Sequence, residues 1–169
     1  MAEQKICCFT GHRSFSDNPK EIRELLNVLL DNLITGGYTV FRAGGALGFD
    51  TLAAEAVLAK KENGRNIRLE LILPCPEQAE HWNADSKRQY HRILSLADSK
   101  RYIADKYTPT CMHERNRDLV DGASLCIAYL KQEKGGTAYT CRYAEKQGLR
   151  VINLATYLAA KSQNNKDTK

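Results

Sequence analysis

Two short glycine-bearing stretches hold the residue types best suited to chemistry. The first is Gly44-Gly45-Ala46-Leu47-Gly48 with Asp50 just beyond it. A β-branched and aromatic run (Thr39, Val40, Phe41) precedes it and an Ala-rich run follows it. The second is Lys134-Gly135-Gly136-Thr137, which lies between the apolar run ending at Tyr129 and a helical pattern that continues to Gln147. Strand, glycine loop, helix is an order that places unpaired backbone N–H groups and the positive end of a helix at the end of a strand, which is a natural anion site. Neither stretch is the GxGxxG fingerprint or the GxxxxGK phosphate loop. Each glycine serves either a tight turn or the close approach of backbone to a phosphate or ribose. The second reading makes Gly44, Gly45, Gly48, Gly135, Gly136 and the Thr137 hydroxyl ligand contacts.

Other polar residues cluster around these loops in the chain. Thr10-Gly11-His12-Arg13 follows the first apolar run, Lys5 to Phe9. Arg13 suits bidentate pairing with phosphate or carboxylate, or else a surface ion pair. Asp50 either caps the helix that follows it or accepts hydrogen bonds from ligand hydroxyls. Glu55 stands among Leu52, Ala53, Ala54, Ala56 and Val57, where a carboxylate needs a partner. A structural ion pair meets that need, and so does a place in the site. Arg115 and Asn116, with Asp121 near the end of the same polar helix, read as half site wall and half solvated face. Trp82 is either core or a platform for a base.

The elements that must position these residues alternate regularly. Strands are expected at Lys5 to Phe9, Thr39 to Phe41, Arg68 to Leu73, Ser99 to Ile103, Ser124 to Tyr129 and Arg150 to Leu154. Asn18-Pro19 with Glu21 reads as a helix start. Ile22, Leu25, Leu26, Leu29, Leu30 and Leu33 then share one face, and Gly36-Gly37 stops the helix. Further helices are expected up to Lys61, around Glu77 to Trp82, from Ser86 to Leu96, from His113 to Val120, from Thr137 to Gln147 and from Ala155 to Lys161. Such alternation predicts an α/β Rossmann-like three-layer sandwich with a mainly parallel sheet. Its ligand lies beyond the carboxyl ends of the strands, at a topological switch point. Four of the special loops, including Pro74-Cys75-Pro76, fall at that edge.

Composition sets the outer bounds. The 169 residues fit one domain, taken as 1–160, with the polar stretch 161–169 expected as a disordered tail. No apolar run approaches the roughly 18 residues of a membrane span, and Met1 to Lys5 carries no signal-peptide pattern, so a cytoplasmic location without a membrane partner is expected. The six cysteines lack CxxC spacing and read as buried thiols. Cys111-x-His113 has no second ligand pair, so neither a metal nor a cofactor is expected. The net charge of +5 permits a polyanionic partner or an anionic small ligand. No basic block or aromatic-basic stripe argues for nucleic acid, which ranks last among partners. The sequence is compatible with a homo-oligomer.

Taken as a set, Thr10-Gly-His-Arg13, Gly44 to Asp50, Ala53-Ala-Glu55, Arg115-Asn116, Leu119-Val-Asp121 and Gly135-Gly-Thr137 resemble the YpsA-like family of the SLOG superfamily, named for the SMF/DprA and LOG proteins. The resemblance covers roughly residues 5 to 155. It implies a Rossmann-like domain whose glycine loops bind a nucleotide or nucleotide-derived ligand; the leading expectation is that such binding serves a sensor or regulatory role. Relatives in the superfamily include LOG phosphoribohydrolases, which cleave nucleotide N-glycosidic bonds, and DprA proteins, which bind single-stranded DNA. LOG enzymes carry PGGxGTxxE with a catalytic glutamate. Matching Gly136-Thr137 to its GT puts Thr140 at the glutamate position and Lys134 at the proline. LOG-like hydrolysis here then requires Glu55 or Asp50 to supply the carboxylate.

Overall fold

Six strands form one sheet in the order β4-β3-β2-β1-β5-β6, and every pairing is parallel. The computed structural model describes residues 3–168. In chain order the elements are β1 (Lys5–Gly11), α1 (Pro19–Thr35), β2 (Tyr38–Ala43), α2 (Phe49–Glu62), β3 (Arg68–Leu73), α3 (Ala84–Leu96), β4 (Ser99–Tyr102), α4 (Cys111–Val120), β5 (Leu125–Tyr129), α5 (Gly136–Lys146), β6 (Arg150–Asn153) and α6 (Leu154–Asp167). The expected Rossmann-like three-layer architecture is therefore present.

The chain winds outward from β1 to β4, then returns to the other side of β1 for β5 and β6. Parallel connections keep one hand, so reversing the winding direction moves the helices to the opposite face. On one face α1, α2, α3 and α6 cover a core that includes Cys7, Phe9, Leu26, Phe41, Val57 and Leu158. On the other, α4 and α5 cover a smaller cluster of Cys8, Ile72, Leu119, Val120, Cys126 and Ala144. Cys7 and Cys8 thus lie on opposite faces, as the period of two along a strand requires. All six cysteines are buried and unbridged.

Local signals explain most boundaries. The Asn18 side chain accepts from Lys20 N at 3.0 Å with Pro19 at the first helical position. Asn83 caps α3 in the same way, accepting from Ser86 N at 2.8 Å. The helix expected around Glu77 to Trp82 is instead a run of turns closed by three-residue bonds such as Glu80 N to Glu77 O and Trp82 N to Ala79 O. The Asn83 cap then starts the helix that follows this stretch.

The stretch expected as a disordered tail from 161 is helical through Asp167. No glycine or proline interrupts it after Leu154, so the helix propagates into polar sequence. Lys169, the last residue of the expected tail, lies outside the described residues, as do Met1 and Ala2 of the stretch read for a signal peptide. None of the described helices is long and apolar enough to cross a membrane.

Candidate functional site

The sheet reverses its winding between β1 and β5, and a cleft of about 280 Å³ opens at their carboxyl ends. Strand β1 delivers Thr10, Gly11, His12 and Arg13 to it. Ala46 comes from the loop after β2 and Asp50 from the start of α2, Arg115 and Asn116 from α4, and Gly136 and Thr137 from the start of α5. Eight of the thirteen sequence-derived candidates therefore meet around one cavity: Thr10, Gly11, Arg13, Asp50, Arg115, Asn116, Gly136 and Thr137.

The two glycine loops reach this cleft differently. At Gly135 the backbone has φ +99° with nothing nearby, which gives the left-handed turn that opens α5. Thr137 makes no capping bond, the first turn holds no acidic residue, and Gly136 meets only Asn116 Nδ2, at 3.7 Å from where a Cβ would stand. The N-terminus of α5 is thus open to the cavity. The loop after β2 is packed shut. A Cβ at Gly44 would lie 2.6 Å from Arg115 Nη1 and 2.8 Å from Asp50 Oδ2, one at Gly45 would strike Leu73, and one at Gly48 would strike the Arg13 carbonyl. Gly44, Gly45 and Gly48 do not line the cavity, and neither does Gly135. Protein atoms crowd the first three, and Gly45 and Gly48 also have positive φ, so the tight-turn reading accounts for these glycines without a ligand.

Asp50 explains why that loop is closed. Its Oδ2 accepts from Ala46 N at 3.2 Å, so the carboxylate fills the loop's own anion position. Only 5% of Asp50 is exposed. Burial raises its carboxyl above the usual range, and the Arg115 charge opposes that rise most. Asp50 is therefore at once a wall of the cleft and the anchor of its loop.

Arg115 and Asn116 join the two loops. Arg115 is 6% exposed, and its Nη1 donates to the Gly44 carbonyl while Nε donates to Asn116 Oδ1 at 2.9 Å. No described carboxylate lies within ion-pair distance of this guanidinium. Burial lowers its pKa, and Asp50 is the main influence holding it up. Arg13 is exposed, lines the cavity and makes no described ion pair. His12 accepts on Nε2 from Lys131 N at 2.8 Å, which leaves its proton on Nδ1. Burial lowers its pKa, favouring that neutral form.

Glu55 is not in the cleft. It faces α3 and pairs with Arg92 at 2.7 Å, so it serves as a structural ion pair. Thr140 is fully buried and donates to its own helix at Gly136 O, 2.8 Å away. Asp121 accepts from Tyr143 OH at 2.7 Å, outside the cavity. Trp82 packs edge-on against Tyr90 at 5.3 Å and is part of the core margin. Among the described residues lining the cavity, Asp50 is the one carboxylate. No described cluster of three His, Cys, Asp or Glu has the arrangement of a metal site.

Sequence reasoning did not count His12, Ala46, Met112 or Leu119 among the site residues, though all four line the cavity. The last two were findable: 112, 115, 116 and 119 recur at helical spacing, so one face of α4 carries them together.

Comparison with known proteins adds the following. Residues 7–159 match the YspA SLOG family. A Bacillus subtilis protein described as the uncharacterized SPbeta prophage-derived protein YoqJ is 30% identical over 139 residues, covering 75% of this chain and 81% of that one. Two solved structures share the fold. DNA processing protein A (DprA) from Streptococcus pneumoniae superposes with a TM-score of 0.63 at 16% identity, over 88% of this chain and 49% of that one. The Helicobacter pylori protein of the same name, whose structure is described for its single-stranded DNA binding mode, gives 0.63 at 18% identity, over 95% and 74%. This chain thus spans about half of the pneumococcal protein.

Proposed function

The chain belongs to the YspA SLOG family, and we propose that it binds a nucleotide or nucleotide-derived anion in the β1–β5 cleft, in a sensing or regulatory role. The observation that carries this reading is Arg115: a buried guanidinium at the cavity wall with no carboxylate in ion-pair contact, opposite an open helix N-terminus. Asp50 offsets the burial of this charge only from beyond ion-pair distance, so the guanidinium has no anion in contact with it. A phosphate seated between Arg115, the first N–H groups of α5 and the exposed head of Arg13 supplies that contact. Asn116 Nδ2 and the hydroxyls of Thr10 and Thr137 are placed to orient what the phosphate is attached to.

Hydrolysis of an N-glycosidic bond fits this cleft less well. Glu55 is engaged by Arg92, Thr140 by its own helix, and Asp50 is spent on the backbone of its loop. A general acid or base needs an unspent group within reach of the bond. Single-stranded DNA, prompted by the DprA likeness, would use the same cations with a strong salt dependence.

Calorimetric or thermal-shift titration tests the reading with inorganic phosphate, a nucleoside, nucleoside mono- and diphosphates, an ADP-ribose-type compound and a single-stranded oligonucleotide. The phosphorylated small molecules are expected to raise the melting point and the nucleoside to leave it unchanged. Absence of any shift across the panel refutes the site. Tight, salt-resistant binding of the oligonucleotide alone moves DNA to first place. Release of free base from a monophosphate restores the hydrolase reading.

A further inference from the structure

The two glycine loops are built alike and differ in the side chain that reaches each anion position. After β2 that side chain is a carboxylate: Asp50 Oδ2 accepts from Ala46 N at 3.2 Å and lies 2.8 Å from where a Cβ on Gly44 would stand. After β5 it is a neutral amide: Asn116 Nδ2 is the group nearest Gly136, 3.7 Å from where its Cβ would stand. Asp and Asn have nearly the same size and shape, so charge is what separates the closed loop from the open one.

Arg115 decides which way the Asn116 amide points. Its Nε–H can only donate, so the amide oxygen must face it, and Asn116 Oδ1 accepts that bond at 2.9 Å. The NH2 group is thereby turned toward the N-terminus of α5. Asn116 is 9% exposed, and its Nδ2 makes no hydrogen bond with a described residue. A donor so deeply buried is costly unless something accepts from it. Its neighbours at this end are donors themselves: the Arg115 guanidinium and the first N–H groups of α5, whose first turn carries no acidic residue.

We propose, building on the anion-binding reading of the cleft, that Asn116 sets the charge this site accepts. Held donor-inward by Arg115, it completes a set of N–H groups that only an accepting group satisfies: an ionised phosphate oxygen, or the ester oxygen that joins it to the rest of the ligand. A carboxylate at this position would face Arg115 and the α5 N–H groups itself, much as Asp50 occupies the first loop, and leave no charge for a ligand to meet.

Asn116→Asp tests this, because it changes the charge and keeps the shape. Melting is followed without ligand, and binding by calorimetric titration at neutral pH with inorganic phosphate, adenosine monophosphate and uridine monophosphate. Without ligand, Asn116→Asp is expected to melt about 2–4 °C above the wild type, since the new carboxylate pairs with Arg115 and caps α5. Its affinity for the phosphate compounds is expected to fall about a thousandfold, since the ligand must displace that pairing and meet a like charge. Asn116→Ala removes one donor without adding charge; it is expected to bind about ten- to a hundredfold more weakly and to melt no higher than the wild type. Higher stability with weaker binding is a signature that damage to the fold does not give, because damage lowers both. An Asp variant that binds within about tenfold of the wild type overturns the assignment, as does one that binds no worse than the Ala variant or melts below it. An Ala variant that binds as the wild type does overturns it too. If the wild type itself binds none of the three compounds, the anion-binding reading falls and takes this role of Asn116 with it. If the wild type binds and only the variants depart from expectation, the reading of the cleft stands and the role of Asn116 alone falls.

Discussion

Gly44→Ala separates a glycine required by packing from one required by a ligand. The new methyl would stand 2.6 Å from Arg115 Nη1 and 2.8 Å from Asp50 Oδ2, both far inside van der Waals contact. Neither neighbour yields freely, because Asp50 holds Ala46 N and Arg115 holds Asn116. Overpacking alone costs about 1–3 kcal/mol. Pushing Arg115 off the Gly44 carbonyl forfeits a charge-assisted bond worth about 1.5–3 kcal/mol. The two groups flank one point, so they are at most about 5.4 Å apart, where opposite charges attract by at least about 3 kcal/mol at an effective dielectric of about 20. Part of that attraction is also lost as they separate. Some relaxation is certain, so a net destabilisation of about 3–5 kcal/mol is expected, a drop of about 6–20 °C in melting temperature for a chain of this size. Gly136→Ala is the control. Its Cβ meets only Asn116 Nδ2 at 3.7 Å, and the backbone there is not left-handed. It is expected to fold with stability within about 1 kcal/mol of wild type, since alanine is the better helix former. Urea denaturation of both variants decides the matter. If Gly44→Ala unfolds within about 0.5 kcal/mol of wild type, the account of the closed loop is wrong.

Further outcomes follow from the same geometry. Arg13→Ala is expected to weaken phosphate-ligand binding by about 1.5–3 kcal/mol in calorimetry while leaving the unfolding midpoint unchanged, since Arg13 is exposed and unpaired. Gly136→Val is expected to abolish that binding by filling the approach to the α5 N-terminus; undiminished affinity would remove α5 from the site. Glu55→Gln breaks a partly exposed pair with Arg92, so it is expected to cost no more than about 1 kcal/mol and to leave binding intact. Asp17 titrates below its ordinary 3.8 because Lys131 and then Tyr129 donate to it. The unfolded chain thus binds this proton more tightly, and the stability Asp17 contributes is present above about pH 4 and lost as pH falls through its depressed value. Asp17→Asn is expected to flatten that part of the acid limb in pH-dependent melting, and an unchanged limb would refute the assignment.

Much of this protein was legible in its sequence because the deciding interactions are local. The Asn18-Pro19 start, the leucine face of α1, the strands and the glycine breaks each depend on neighbours a few residues away, and a parallel sheet follows from their alternation. The pairing of opposite faces at Cys7 and Cys8 needed only the period of a strand. Three things belonged to the tertiary structure. Which loop stays open was decided by a residue five positions beyond Gly45, since Asp50 folds back onto Ala46 and closes one anion site while α5 has no such carboxylate. Which carboxylates are free was decided by partners far along the chain, as Arg92 claims Glu55 across 37 residues. Arg115 became a cleft residue only because the return of the chain to β5 laid α4 beside the ends of β1 and β2, joining Gly44 to a helix 71 residues later. Sequence carries the residue types and local periods; long-range packing decides which polar groups are already satisfied, and so which are left to meet a ligand.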